Sequence, residues 1–312
     1  MARISALLLA ASLALAGCAT RTAHPEAFAF GILGDTPYSA NETVRFLELI
    51  DSVNVEPLAF VVHVGDMKAG GDSPCTDALY EDRRAQFERF KAPFHFVPGD
   101  NDWVDCRRPT NGRMNPLERL ERLRAVYYAT GGPFSPAAKR IEGERQPGYP
   151  ENIRWTRSGV VFTTLNVQGS NDNYGFDAAN DAERAKRLAA NLEWLSAAVR
   201  TAQAPGMRGL AVIFHANPWE ASKQDIYRPY LDAIPDAATT LGKPVVFIHG
   251  DTHHQRVDHP FRDSRGEAIA TLTRMETFGS PWVGWVKVYV DPSDPRVFRF
   301  EPRLFSFEPR LP

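Results

Sequence analysis

The chain is poor in cysteine, with only Cys18, Cys75 and Cys106 among 312 residues. That excludes a miniprotein held together by a dense disulfide framework. It has no excess of either charge: 36 Lys and Arg stand against 38 Asp and Glu, for a formal net charge of −2. The basic surface expected of a nucleic-acid binder is therefore missing, and no nucleic-acid partner is expected. No apolar run approaches the ~18 residues that cross a bilayer as a helix, and there is no low-complexity tract. Ser158 and Ser170 lack the Gly-flanked pattern of a nucleophile elbow, which argues against a serine hydrolase. What is present, 43% hydrophobic and 24% charged residues, is ordinary globular composition, in a chain long enough to bury a sizeable core.

The first residues stand apart. Ile4 to Ala16 is an unbroken run of Ala, Leu, Ile and Ser behind Arg3, too short to span a membrane. It ends Leu15-Ala16-Gly17-Cys18, which resembles a bacterial lipobox. The resemblance implies that residues 1–17 are a lipoprotein signal peptide, that Cys18 is lipidated, and that 18–27 form a tether. Acyl chains add about 0.8 kcal/mol of membrane binding per buried methylene, so several anchor firmly. Ala19 behind the cysteine implies the outer membrane, facing the periplasm, with the lipid anchor as the sole membrane contact. Cys75 and Cys106 then lie in an oxidising compartment and are expected to pair.

Apolar runs and helical spacings alternate along the rest. Strands are expected at Phe28–Leu33, Leu58–Val64, Pro93–Val97, Val160–Val167, Leu210–Phe214 and Val245–Ile248, with later, antiparallel strands at Ala268–Thr273, Trp282–Val290 and Val297–Phe300. Helices are expected at Thr43–Val53, with Val44, Leu47, Ile50 and Val53 on its apolar face, and at Thr76–Phe90, Pro116–Tyr128 and Ala178–Ala202. The alternation predicts an α/β protein with a largely parallel sheet. No linker divides residues 28–312, which read as one domain.

Five of these strands end in a polar step that carries Asp or His: Asp35, Asp66, Asp100, His215, and Asp251 with His253. The carboxyl ends of parallel strands are where α/β sheets collect ligands and catalytic groups. One such Asp is ordinary turn chemistry, but five cases among the first six strands, four of them Gly-Asp, are not. Carboxylates and imidazoles gathered in one place repel unless cations lie among them, so one or two metal ions are expected.

The runs Asp35-Thr36-Pro37, Gly65-Asp66, Gly99-Asp100-Asn101-Asp102, His215 and Gly250-Asp251-Thr252-His253 resemble, in order and spacing, the motifs of the calcineurin-like metallophosphoesterases. The resemblance covers about Phe28 to Val290. It implies a two-sheet β-sandwich flanked by helices, in four layers α/β/β/α. It also implies two divalent metal ions. Asp35, Asp66 and His253 would hold the first, and Asp66, Asp100, His215 and Asp251 the second, with Asp66 bridging. Asn101 and Asp102 would occupy the catalytic positions after Asp100. Lys68, Arg107 and Asn166 are candidate substrate-binding residues, with Arg108 and Arg113 in the same flanking loops.

The sequence departs from the family at three places. Pro37 stands where a histidine ligand belongs, Asn101 where a histidine assists the substrate, and Asp251 where another histidine ligates. Tyr38 offers a phenol beside Pro37 but is set below the other six candidate ligands. This oxygen-rich set favours Mn or Mg, with Fe or Zn as the remaining candidates. The implied activity is metal-dependent hydrolysis of a phosphate mono- or diester on a small phosphorylated molecule, by attack of metal-bound hydroxide. The rival reading is a catalytically inactive relative that binds a ligand or a partner in the envelope. A calcium-stabilised structural domain is a third reading, disfavoured by the two histidines.

Overall fold

The structure is a computed structural model that describes residues 26–129, 140–219, 224–263 and 265–308. Residues 1–17, expected to be a signal peptide, and Cys18 lie outside the described residues.

The chain opens with β1 (Phe28–Leu33), α1 (Ala40–Val53), β2 (Val61–His63), α2 (Asp77–Phe87) and β3 (Phe94–Phe96). Short 3-10 turns follow at Asp100–Asp102, Val104–Arg107 and Pro109–Asn111, then α3 (Pro116–Tyr127). Next come β4 (Glu144–Gln146), β5 (Tyr149–Arg157), β6 (Val160–Thr164), a single turn α4 (Gly169–Asp172) and α5 (Ala178–Gln203). The last part holds β7 (Gly209–Ile213), α6 (Gln224–Leu241), β8 (Val245–His249), β9 (Arg256–Asp258), β10 (Leu272–Glu276), β11 (Trp282–Val290) and β12 (Phe298–Phe307).

The strands form two sheets, ordered β12-β11-β1-β2-β3 and β4-β5-β6-β7-β8-β10-β9. In the first, β1, β2 and β3 run parallel and β11 and β12 complete it antiparallel. In the second, β6, β7, β8 and β10 run parallel, flanked by antiparallel β4, β5 and β9. The expected largely parallel sheet is thus two mixed sheets, and β10 pairs parallel with β8 rather than antiparallel.

Alternation along each strand explains the layers. Phe30, Ile32 and Val62 from one sheet and Phe162, Ile213, Val246 and Ile248 from the other fill a shared core. The opposite faces are covered too: Val61 and Phe94 pack with Phe46 of α1, Phe87 of α2 and Leu123 of α3. Val161, Leu210, Val212 and Phe247 pack with Leu195 and Ala198 of α5 and Tyr230 and Ile234 of α6. Strands covered on both faces read as continuous apolar runs, which is why they are legible. The four layers α/β/β/α match the expectation.

On α1 the buried face is Phe46, Leu49, Ile50 and Val53, while Val44 is 54% exposed. The side chain of Ser39 caps this helix by accepting the Glu42 N–H at 3.1 Å. Cys75 and Cys106 are joined, with their Cα atoms 5.7 Å apart, and the bond ties the loop after β2 to the loop after β3.

Two buried histidines in the first sheet stay neutral. Burial pushes His63 and His95 down to about 3 from an ordinary 6.5. The unfolded chain takes up both protons below pH 6.5 and the folded chain does not, so stability falls as pH drops from about 6.5 toward 3. Each histidine contributes a slope of about 1.4 kcal/mol per pH unit. His95 hydrogen-bonds the Glu151 carbonyl at 3.0 Å, and His95→Gln keeps an N–H for that carbonyl. Urea unfolding at pH 7 and pH 4.5 should show the variant losing less stability in acid than the parent; equal losses would contradict this.

Candidate metal centre

Asp35, Asp66, Asp100, His215 and Asp251 follow β1, β2, β3, β7 and β8, and the sandwich brings all five to one end. The chain turns sharply there: Asp35, Asp66, Asp251 and His253 all have positive φ, between 54° and 76°. Such backbone is uncommon outside glycine and clusters at functional sites.

His215 is wholly buried at the centre. Its Nδ1 lies 2.8 Å from the Val64 carbonyl. A carbonyl only accepts, so Nδ1 carries the proton and Nε2 faces inward. Nε2 lies 3.0 Å from Asp100 Oδ1, 3.3 Å from Asp66 Oδ1 and 3.8 Å from Asp251 Oδ1. A neutral Nε2 would set its lone pair against three carboxylate oxygens, so a proton or a cation must lie among them. Burial works to lower the His215 pKa, but Asp66, Asp100, Asp35 and Asp251 outweigh it and hold it well above the ordinary value. Burial also raises Asp35 and Asp66 well above the usual carboxylate range. Burial pushes Asp100 upward too, but hydrogen bonds from His215 and Ser170 prevail and leave it lowered.

His253 follows the same rule. Its Nδ1 donates to the Ser280 carbonyl at 2.6 Å, and its Nε2 lies 3.6 Å from Asp35 Oδ1. Holding one ring nitrogen on a backbone carbonyl leaves the other free to ligate, as metal-binding histidines are held.

The residues fit divalent cations. Asp35, Asp66 and His215 form one group, and Asp100, His215 and Asp251 a second, each with donor atoms within 4.8 Å of one another. Asp35 Oδ2 is buried and has no hydrogen-bond partner among the described residues, a costly position for a carboxylate oxygen with nothing to coordinate. His215 belongs to both groups. His253 belongs to neither and reaches the first only from Asp35's side.

Several candidate residues lie elsewhere. Asp102 is wholly buried, and its carboxylate accepts the N–H groups of Asp66 and Met67, both at 2.9 Å, and of Gly99 at 2.6 Å. It fastens two ligand loops together and is not placed to act on a substrate. Lys68 is wholly buried, with Nζ on the Ala69 carbonyl at 2.7 Å, so it cannot meet a substrate from solution. Asn166 is likewise buried: its side-chain amide donates to Glu151 at 2.7 Å, and its backbone carbonyl accepts from Arg187 at 2.9 Å and Asn191 at 2.7 Å. It belongs to a structural network rather than a binding surface. Arg107 donates to the Val104 carbonyl at 2.6 Å and stacks 3.2 Å over the Phe176 ring. Asn101 does reach the cluster, donating from Nδ2 to Asp66 Oδ2 at 2.5 Å.

Other residues at the site are Tyr38, ranked below the six candidate ligands, and residues outside the candidate set. Tyr38 Oη donates to Asp66 Oδ2 at 2.9 Å. The Asn217 backbone N–H holds Asp251 Oδ2 at 2.8 Å. The Ser170 hydroxyl donates to Asp100 Oδ2 at 2.6 Å from a turn in which Ser170, Asn171, Asp172 and Asn173 all have positive φ. An isolated serine or asparagine in a polar loop carries no sequence signal for such placement.

That turn is held from behind. Arg187 of α5 donates to Asp172 Oδ1 at 2.6 Å, and both side chains are wholly buried. Removing one partner of a buried pair leaves an uncompensated charge. Arg187→Met is therefore expected to cost about 3–5 kcal/mol in urea unfolding; a loss under about 1 kcal/mol, the range of exposed pairs, would show that the pair does not fix the turn.

No protein-family model matches the chain, and no curated protein does. Solved structures do. A dimetal phosphatase from Danio rerio is similar over 90% of this chain and 97% of its own, at 13% identity and a TM-score of 0.58. GAP50, the anchor in the inner membrane complex of Plasmodium, matches over 91% and 90% at 13% identity and a TM-score of 0.48. A Vps29 from Entamoeba histolytica matches over 89% and 99% at 10% identity and a TM-score of 0.32. The first likeness, with the two helix-covered sheets, makes the fold metallophosphoesterase-like.

Proposed function

We propose that the protein is a metal-dependent phosphoesterase that hydrolyses a phosphate mono- or diester on a small molecule. The observation that carries this reading is the meeting of Asp66, Asp100 and Asp251 around His215 Nε2, within 3.8 Å, beside the unpartnered Asp35 Oδ2. Asp35, Asp66 and His253 would hold one cation and Asp66, Asp100, His215 and Asp251 the other, with Asp66 shared. Four carboxylates and two imidazoles favour Mn or Mg over Zn. Bound there, two divalent cations supply an acidified water and neutralise charge on the phosphoryl oxygens.

The chain's own residues orient and tune. Asn217 fixes Asp251, Asp102 fixes the backbone at Asp66, and Ser170 fixes Asp100. Arg108 meets Asp105 Oδ2 at 2.7 Å and Ser170 Oγ at 3.4 Å, which brings positive charge within one side chain of Asp100, where a phosphate group would be attracted. Asn101 offers an amide where an imidazolium would protonate a leaving group, so esters of acidic alcohols are the better substrates.

Elemental analysis followed by assays on aryl phosphate mono- and diesters tests the reading. Turnover with a steep dependence on leaving-group pKa is expected. Bound metal with no turnover on any ester would favour an inactive, ligand-binding relative, which the close Asn101–Asp66 contact supports. The proposal extends to the envelope: the lipobox-like run ending at Cys18 would tether the enzyme to the outer membrane, facing the periplasm.

A further inference from the structure

We infer that Tyr38 is a ligand of the first metal, its phenolate taking the coordination position that Pro37 cannot fill; this rests on the dimetal reading above. Three observations carry it. The phenol oxygen lies 2.9 Å from Asp66 Oδ2 and 3.3 Å from His253 Nε2. An octahedral ion with ligands at about 2.1 Å sets neighbouring donor atoms about 3 Å apart, so the three atoms are spaced like donors that share one ion. Second, Asn101 Nδ2 donates to the Tyr38 oxygen at 3.1 Å as well as to Asp66 Oδ2. One amide thus gives its two protons to these two oxygens and holds them side by side. Third, the ring is fixed. It meets the His253 ring edge-on at 5.3 Å, and its backbone N–H is held by Glu42 at 2.8 Å.

The assignment also mends the donor count. Without Tyr38 the first metal has Asp35, Asp66 and His253; with it, that ion gains a fourth protein donor, and the set becomes harder and more anionic. The phenol proton leaves to solvent as the metal enters, as for any ligand that must be deprotonated. Hard anionic oxygen suits a trivalent or strongly Lewis-acidic ion at this position.

Ferric iron gives a readout independent of activity. Phenolate bound to ferric ion absorbs visible light by charge transfer from oxygen to metal, whereas carboxylate and imidazole ligands alone do not. The purified protein and its Tyr38→Phe variant are loaded with ferric iron, desalted, and measured for iron content and visible absorption. The parent is expected to be coloured; the variant is expected to hold iron and lose the band. Resonance Raman excitation within the parent's band should enhance phenolate ring modes, a test that needs no variant should Tyr38→Phe misfold. Iron bound by the parent without a visible band, or a band retained in the variant, overturns the assignment. Failure of the parent to bind iron or manganese at all overturns the dimetal reading itself, and elemental analysis tells that outcome from the others.

Discussion

Asp66→Asn should abolish turnover on every phosphate ester while leaving the fold intact. Asp66 is the proposed bridge. Its Oδ1 faces His215 Nε2 at 3.3 Å, and its Oδ2 accepts from Tyr38 and Asn101. The amide keeps the shape and removes the charge that two cations would share. Loss of an outer partner of a metal ligand costs about 10–100-fold in affinity or activity; loss of the bridge should exceed the upper end of that range. Metal content should fall in parallel. The urea midpoint without metal, compared with the parent's, checks that the fold survives the change. Turnover within 10-fold of the parent would remove Asp66 from the mechanism.

Gly169→Ala should disable the centre without touching a ligand. A Cβ at this position would overlap the Asp100 carboxylate and come 2.6 Å from Asp251 Oδ1. The turn cannot retreat easily, because Asp172 is locked to Arg187 and Ser170 is bonded to Asp100. The carboxylates must therefore give way, and both belong to the proposed second metal. Metal affinity should fall at least ~10–100-fold, the scale set for outer partners, with a stability cost of about 1–3 kcal/mol from overpacking. Isothermal titration with Mn²⁺ against the parent measures the first and urea unfolding the second. Unchanged affinity would place the second metal away from Asp100 and Asp251.

The sequence made the parallel strands and their polar ends readable because strands buried on both faces carry uninterrupted apolar runs, and each run stops where the chain turns into the cluster. It hid β5 and β12. Tyr149–Arg157 mixes Pro, Glu and Arg into a strand, and Phe298–Phe307 alternates aromatic and charged residues along an edge, beyond the short Val297–Phe300 run expected. The α1 face lies one rotation away from the expected one: Val44, three residues before Leu47, points to solvent, and Phe46 takes the core. The six candidate ligands lie where strand order places them. Lys68, Asn166 and Asp102 were misread because a polar residue beside a ligand loop looks alike whether it faces solvent or bonds backbone. Tyr38 carries no such signal in the sequence: only the path from Asp35 through Pro37 brings its phenol oxygen to Asp66 Oδ2.

Metal content per chain, measured by elemental analysis on protein purified without chelator and supplied with Mn²⁺, tests the central claim most directly. Two divalent ions per parent chain, reduced in Asp66→Asn, are expected. No transition metal bound under saturating Mn²⁺, or calcium alone, would contradict the dimetal account.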